Sequence, residues 1–427
     1  VKWRIEALLC ARDIQAVAEL VAINLPLEGS VEAYVHTSQL DDGLRFDWID
    51  MSVGASQANG SLDVTFESDD VHITGDLTAP TLEIKTGDGD DDIDALFLES
   101  GALNGVEANI GITIDRLHAD PIRFSEVKTT GVITNDVLTL DPFDSRVFGA
   151  PAILTLVVDT SGAAPVIAVT GKATDVDPDD IGNNLGMQGL MTGQIGTMTV
   201  SGTTTGTTFR EMASSAELAF GAADATLQIG DDQTSLDIHD IQLSAKPGER
   251  ATGTESVVLA GVPIKLELTF VSLLDLIEKP SPWILDGTAS LLGLDLEIER
   301  EVTPSMEVYA RPVTMKATSD DFREALETFD LDLPTVLPFD ADGTVQVFAD
   351  RVVFALDSAL LARSDASGTV VFWLDETPRR VEADFTSKLL VLDDFFSEEE
   401  TQDDQEFDLE TLLNRPLPAW DLPPVHL

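Results

Sequence analysis

The sequence contains a single cysteine, Cys10, among its 427 residues, so no disulfide can form within the chain. This excludes the small secreted domains that depend on disulfides and is typical of cytosolic or periplasmic proteins. Basic residues are also scarce: 25 Lys and Arg face 77 Asp and Glu, a formal net charge of −52. Such a field repels nucleic-acid phosphates and anionic membrane surfaces. We therefore expect no nucleic-acid partner.

Long hydrophobic runs are missing as well. No apolar stretch reaches the ~18 residues of a membrane-spanning helix, and no signal-peptide pattern opens the chain. The sequence starts at Val1 and stops at Leu427, which favours a fragment of a longer protein. Hydrophobic residues nevertheless make up 43% of the chain, so a sizeable apolar surface can be buried. The acidity fits a surface that stays soluble in a salty medium or one that binds cations.

Short runs that alternate apolar and polar residues recur along most of the chain. Residues 262–270 and 294–300 show the pattern, and turns of Gly, Asp, Asn or Ser separate one run from the next. This alternation places apolar side chains on one face of a strand and polar ones on the other. The sequence therefore predicts a mostly β chain with a few short helices. Its elongated, repetitive, curved antiparallel sheet would form a groove with an apolar concave face.

Five segments follow from these patterns. They are a helical lead-in over 1–24 (helix 8–22), a β-repeat module over 25–130, a β module over 131–318 with short helices near 178–188 and 272–279, a helix near 321–329 with a second β-repeat module over 319–395, and an acidic loop with a Pro-rich extended end over 396–427. The two repeat modules resemble each other, because each contains a Leu-Pro step, at 25 and 337, and a Gly-led strand, at Gly60 and Gly368. Such repetition indicates units that bury their faces by stacking.

Motifs that carry chemistry are missing. None of the five histidines has the spacing of a metal site, and neither a nucleophile elbow nor a phosphate-binding glycine loop occurs. We therefore expect no enzyme activity and no cofactor. The acidic run 87–94 resembles one calcium-binding turn, with Asp88, Asp90 and Asp92 as weak ligand candidates, although such turns share ions only in tandem. A solvated turn and a calcium site both stay open.

The apolar face of the strands is the remaining candidate for function. Its members are predicted to face lipid, and they are Ile264, Leu266, Leu268, Phe270, Leu294, Leu296, Ile298, Val381, Ala383 and Phe385. Few long helices are available to cover so much sheet, which favours a groove for acyl chains. The ordinary core of a β-sandwich or of a helix-covered sheet is the alternative.

Several segments in the middle of the chain carry a family pattern. They are 145–156, 166–171, the Asp177-Pro-Asp-Asp-Ile helix start, 189–193, 201–203, 209–212, 216–221 and 225–229. Together with the two repeat modules and the ending at 387–394, these segments resemble the AsmA-like proteins. The resemblance covers most of the chain but lies in pattern, and the chain departs from it in its acidity and in lacking an N-terminal anchor.

The resemblance implies a Gram-negative cell-envelope protein, periplasmic and anchored in the inner membrane at full length. It implies a role in outer-membrane biogenesis, in which a β-groove holds or conducts phospholipid between the inner and outer membranes, with no catalytic residues. The alternative function is an extracellular structural or adhesive β-array stiffened by calcium at its acidic turns.

Overall fold

The computed structural model divides the chain into two compact units. Unit 1 comprises Val1–Leu227, Asp240–Thr252 and Ser272–Lys279, and unit 2 comprises Gln228–His239, Gly253–Val271 and Pro280–Leu427. The structure describes residues 4–11, 30–67, 70–84, 98–119, 122–184, 191–229, 234–259, 262–278, 282–291, 293–302, 312–323, 336–348, 351–373 and 380–391.

Twenty-two strands and three short helices make up the described chain. The strands are β1 (Arg4–Ala11), β2 (Val31–Gln39), β3 (Gly43–Val53), β4 (Ser56–Glu67), β5 (Asp70–Ile84), β6 (Val106–Ala119), β7 (Ile122–Thr134), β8 (Val137–Val147), β9 (Ala150–Asp159), β10 (Val166–Val176), β11 (Met191–Thr205), β12 (Glu217–Ile229), β13 (Thr234–Ala245), β14 (Thr252–Leu259), β15 (Val262–Thr269), β16 (Trp283–Leu291), β17 (Leu294–Val302), β18 (Val313–Ser319), β19 (Phe339–Val347), β20 (Arg351–Leu361), β21 (Ser364–Trp373) and β22 (Arg380–Thr386). The helices are α1 (Pro178–Asn184), α2 (Phe209–Ser215) and α3 (Leu273–Glu278). The predicted mostly β fold with a curved, repetitive antiparallel sheet is confirmed.

In unit 1, each strand from β1 to β11 pairs with the next one along the chain. All of these pairings are antiparallel except that of β5 with β6, which is parallel. Two neighbouring parallel strands need a long crossover between them, because the chain must return to the end of the sheet at which the first strand began. Residues 85–105 provide it.

In unit 2, the strands from β15 to β22 form an antiparallel meander in chain order. In unit 1, a tight turn joins β7 to β8. Its two residues, Asn135 and Asp136, both have positive φ, 52° and 64°. This is the backbone of a two-residue hairpin turn. The turn divides residues 131–140 between the end of β7 and the start of β8.

The helix starts are set by caps. The amide of Asp179 donates to Oδ1 of Asp177 at 2.9 Å ahead of α1, and the amide of Asp275 donates to Oγ of Ser272 at 3.1 Å ahead of α3. The predicted helices near 178–188 and 272–279 are therefore confirmed over the described residues. Helix α2 was not predicted, although Thr208 and Glu211 have the spacing of a capping box.

The predicted helix over 8–22 is wrong at its beginning, because residues 8–11 belong to strand β1, which pairs with β2 along its whole length. Long-range backbone pairing has outweighed the local helical spacing. The rest of that helix, most of the one near 321–329 and the whole of 396–427 lie outside the described residues.

The two predicted repeat modules share one strand plan. Strands β2, β3 and β4 begin 308 residues before β19, β20 and β21 (339 − 31, 351 − 43 and 364 − 56), and Gly60 stands 308 residues before Gly368. The pairing of Gly60 with Leu77 recurs as that of Gly368 with Phe385. The equivalence therefore extends to β5 and β22. The Leu-Pro steps at 25 and 337 do not fit this offset.

Matching buried serines support the same equivalence. The amide of Glu83 donates to Oγ of Ser56, and the amide of Val391 donates to Oγ of Ser364, each at 2.9 Å. Both serines are buried, and both partners lie 308 residues apart. The modules therefore repeat down to single hydrogen bonds, although their sequences differ at most positions.

Candidate functional site: the apolar ladder of unit 2

Strands β15 to β22 align their apolar residues in rows that run across the sheet. Residues directly opposite each other in an antiparallel pair lie on the same face. One row reads Leu266, Ala289, Leu296, Ala317, Ala341, Ala359 and Ala366, and its neighbour reads Leu268, Gly287, Ile298, Met315, Gly343, Leu356, Gly368 and Phe385. We call this surface the apolar ladder.

The predicted lipid-facing residues fall on the apolar ladder but differ in exposure. Leu294 and Leu296 are buried, each with 3% exposed. Ile264, Leu266, Leu268, Ile298 and Val381 are half-buried, as is Phe270, which follows β15. In β22 Ala383 is exposed, and Phe385 keeps 48% of its surface accessible. The ladder is therefore closed in its middle strands and open at β22.

Several important members were missed at the sequence level. Met315, Val345, Phe354 and Phe372 are all buried in the same cluster as Leu294 and Leu296. Phe354 and Phe372 meet edge to face, with ring centroids 5.7 Å apart. Met315 and Val345 lie between polar neighbours, and this alternation was the available signal, whereas Phe354 and Phe372 lie between apolar neighbours.

One end of the ladder is anchored by the described parts of the connection between β18 and β19. The rings of Phe322 and Phe339 stack with centroids 4.8 Å apart, and Leu337 beside them is fully buried. Asp321 holds this connection: Arg323 donates to its carboxylate, and the amide of Leu337 donates to Oδ1. These hydrogen bonds, chiefly the one from the Arg323 side chain, lower the pKa of Asp321 to about 2.

The opposite face of the same strands is acidic. Glu267, Thr288, Glu297, Lys316 and Asp342 form one row there. They line an open depression of about 600 Å³ together with Asp286 and Glu299. All of these carboxylates except that of Asp286 are exposed, and Lys316 supplies one basic group, so this face is polar and acidic.

No group of His, Cys, Asp or Glu within the described part of the chain is arranged to hold a metal ion. The weak calcium candidates Asp88, Asp90 and Asp92 lie outside the described residues, on the crossover between β5 and β6. None of the helices seen in the described segments has the length and apolar character to cross a membrane. No family model, curated protein or solved structure matches the chain.

Proposed function

We propose that the chain is a non-enzymatic, AsmA-like envelope protein that holds or conducts acyl chains along the apolar ladder. The carrying observation is the continuity of the ladder across eight strands, with carboxylates on the other face. An acyl chain would lie along apolar side chains while its head group stays in water. The accessible side chains at β22, Ala383 and Phe385, are the place where an acyl chain could enter.

The free energy gained by burying an acyl chain would be spread over many side chains, so no single residue would dominate the binding. Each buried methylene contributes roughly 0.8 kcal/mol, so a 16-carbon chain gains on the order of 10 kcal/mol before entropic costs. The proposed setting is the periplasm, with an inner-membrane anchor on the full-length protein and phospholipid moving between the inner and outer membranes. The resemblance to AsmA-like proteins supports this setting, and the ladder supports the ligand class.

Photocrosslinking tests the proposal directly. The full chain is incubated with a phospholipid that carries a photoreactive acyl chain, and the labelled fraction is measured. Leu266→Asp places a charge in the ladder, and burying a charge against an acyl chain costs several kcal/mol, so labelling should fall at least about tenfold. Ser290→Asp adds the same charge on the exposed opposite face of β16 and should leave labelling unchanged.

A second variant guards against misfolding. Ala383→Asp lies on the same face of β22 but is exposed, so the fold should tolerate it while labelling falls. Circular dichroism and the melting temperature report whether each variant is folded. Normal labelling of folded Leu266→Asp and Ala383→Asp would rule out the ladder as the acyl-chain site. Native mass spectrometry without any co-purifying phospholipid would also argue against it.

A further inference from the structure

Strand β22 has a free edge in the described part of unit 2. It pairs with β21 on one side, and no strand of the described segments pairs on the other. Its counterpart in the first repeat module, β5, is covered on that side by β6, in a parallel pairing that runs from Val71 opposite Val106 to Ile84 opposite Ala119. One copy of this edge is therefore occupied by β6, and the other is open as far as the described residues show.

Exposed apolar side chains mark the open edge. Phe385 and Leu390 keep 48% and 58% of their surface accessible. Their counterparts 308 residues earlier, Leu77 and Leu82, are half-buried and lie opposite Ile112 and Leu117 of β6. The apolar surface that β6 covers in one module is thus uncovered in the other.

The charges of β22 indicate what kind of strand would fit. In the first module Asp76 lies opposite Gly111 of β6, and its carboxylate would be only 2.3 Å from a Cβ at that glycine. The counterpart of Asp76 is Asp384, and Glu382, beside it on the same face, replaces a threonine. Arg380 contacts Glu382 at 2.5 Å, which leaves a net negative edge. A small or basic residue fits opposite Asp384.

The positions that would repeat β6 do not carry a sequence suited to this pairing. The positions 308 residues after β6 are 414–427, and they include Pro416, Pro418, Pro423 and Pro424. Proline has no amide hydrogen to donate to a neighbouring strand. The sequence at these positions is therefore unsuited to the pairing that β6 makes.

We propose that the open edge of β22 binds an extended segment of a partner protein as a parallel strand. Backbone hydrogen bonds would provide affinity and alternate side chains specificity, as in other cases of strand addition. Apolar residues of the segment would lie beside Val381, Ala383 and Phe385. Small or basic residues would lie beside Glu382 and Asp384. The bound strand would add one more strand to the apolar ladder. The proposal does not depend on lipid binding.

The chain's own β6 sequence provides the probe. A fluorescent peptide with the sequence of residues 106–119 is titrated with the full chain, and binding is followed by anisotropy. Replacement of the peptide's Gly111 by Lys should strengthen binding about threefold, and replacement by Asp should weaken it by a similar factor. Phe385→Asp in the full chain should weaken binding at least tenfold. Leu360→Asp, at a side chain 53% exposed on the opposite face of β20, is the matched control.

Asp384→Lys separates edge binding from any loss of folding, because residue 384 is exposed and should tolerate the change. With this variant the preference should reverse, so that the Asp peptide binds more tightly than the Lys peptide. Absence of binding by all three peptides would overturn the proposal, as would an unchanged preference with Asp384→Lys. Sedimentation that shows a dimer disrupted by Phe385→Asp would identify a second copy of the chain as the occupant and would also overturn it.

Discussion

Single buried polar side chains hold the ends of the two repeat modules. Ser56 and Ser364 begin β4 and β21, and each accepts a backbone amide hydrogen from a residue 27 positions further along the chain. A buried amide without an acceptor costs free energy comparable to a lost hydrogen bond. These hydrogen bonds therefore hold Glu83 and Val391 against the first residues of β4 and β21.

Replacing either serine by alanine should destabilise the chain. Ser364→Ala leaves the amide of Val391 without its acceptor, and Ser56→Ala does the same to Glu83, so each should lower the free energy of unfolding by about 1–2 kcal/mol. Urea denaturation measures the change. Ser358→Ala, at an exposed position of β20, should change it by less than about 0.5 kcal/mol. Equal effects at all three positions would contradict the assigned role.

At the level of the strand, glycines permit close approach between neighbours. A Cβ on Gly368 would lie 1.9 Å from the carbonyl oxygen of Asp384, and a Cβ on its counterpart Gly60 would lie 2.1 Å from that of Asp76. Gly368 also has a φ of +147°, which other residues rarely adopt. Glycines at such points allow a sheet to bend sharply.

Gly368→Ala should therefore cost more stability than an ordinary loop substitution. The clash with Asp384 and the unfavourable φ together predict a loss of at least about 2 kcal/mol, measured as a lower urea midpoint at constant m-value. Gly162→Ala provides the comparison, because its Cβ would be 3.4 Å from the nearest atom, the carbonyl oxygen of Ala164. Equal stability of the Gly368→Ala and Gly162→Ala proteins would contradict this prediction, because it would show that the backbone of β21 moves away from Asp384 without a loss of stability.

Sequence alternation predicted the strands and the apolar face well, because a period of two directly encodes two-sided burial. It could not locate the bulges. Trp48 and Leu356 are equivalent by the 308-residue offset, yet Trp48 pairs with His36 and is 52% exposed, whereas Leu356 pairs with Gly343 and is buried. The register shift falls at a different residue in each module, and this moves the side chain to the other face. Nor does the pattern show which rows are fully buried, since that depends on neighbouring strands.

Across the whole molecule, the dominant property is the net charge of −52. Like charges repel, and most of the carboxylates described on the strands are exposed, so compaction works against electrostatic self-repulsion. Added salt screens this repulsion, since the Debye length falls from about 30 Å at 0.01 M to about 3 Å at 1 M. The chain should therefore be more stable in salt.

The melting temperature should rise by several degrees between 0.01 M and 1 M NaCl, because screening favours the compact state. Differential scanning calorimetry checks this. Calcium chloride at an ionic strength matched by NaCl tests the alternative of a calcium-stabilised array. A much larger rise with calcium would favour that alternative over the acyl-chain function, whereas equal rises would indicate screening alone.

The parallel pairing of β5 with β6 decides at which end of the unit 1 strands the long connections lie. In a pure meander, successive connections alternate between the two ends of the strands, so the strand number alone fixes the end. One parallel pairing reverses this alternation for every later strand. The connections after β1 and β10 therefore lie at the same end, although one strand number is odd and the other is even. If a hairpin joined β5 and β6 instead, α1 would lie at the opposite end from the β1–β2 connection. The crossover thus brings these two connections to one end of the strands.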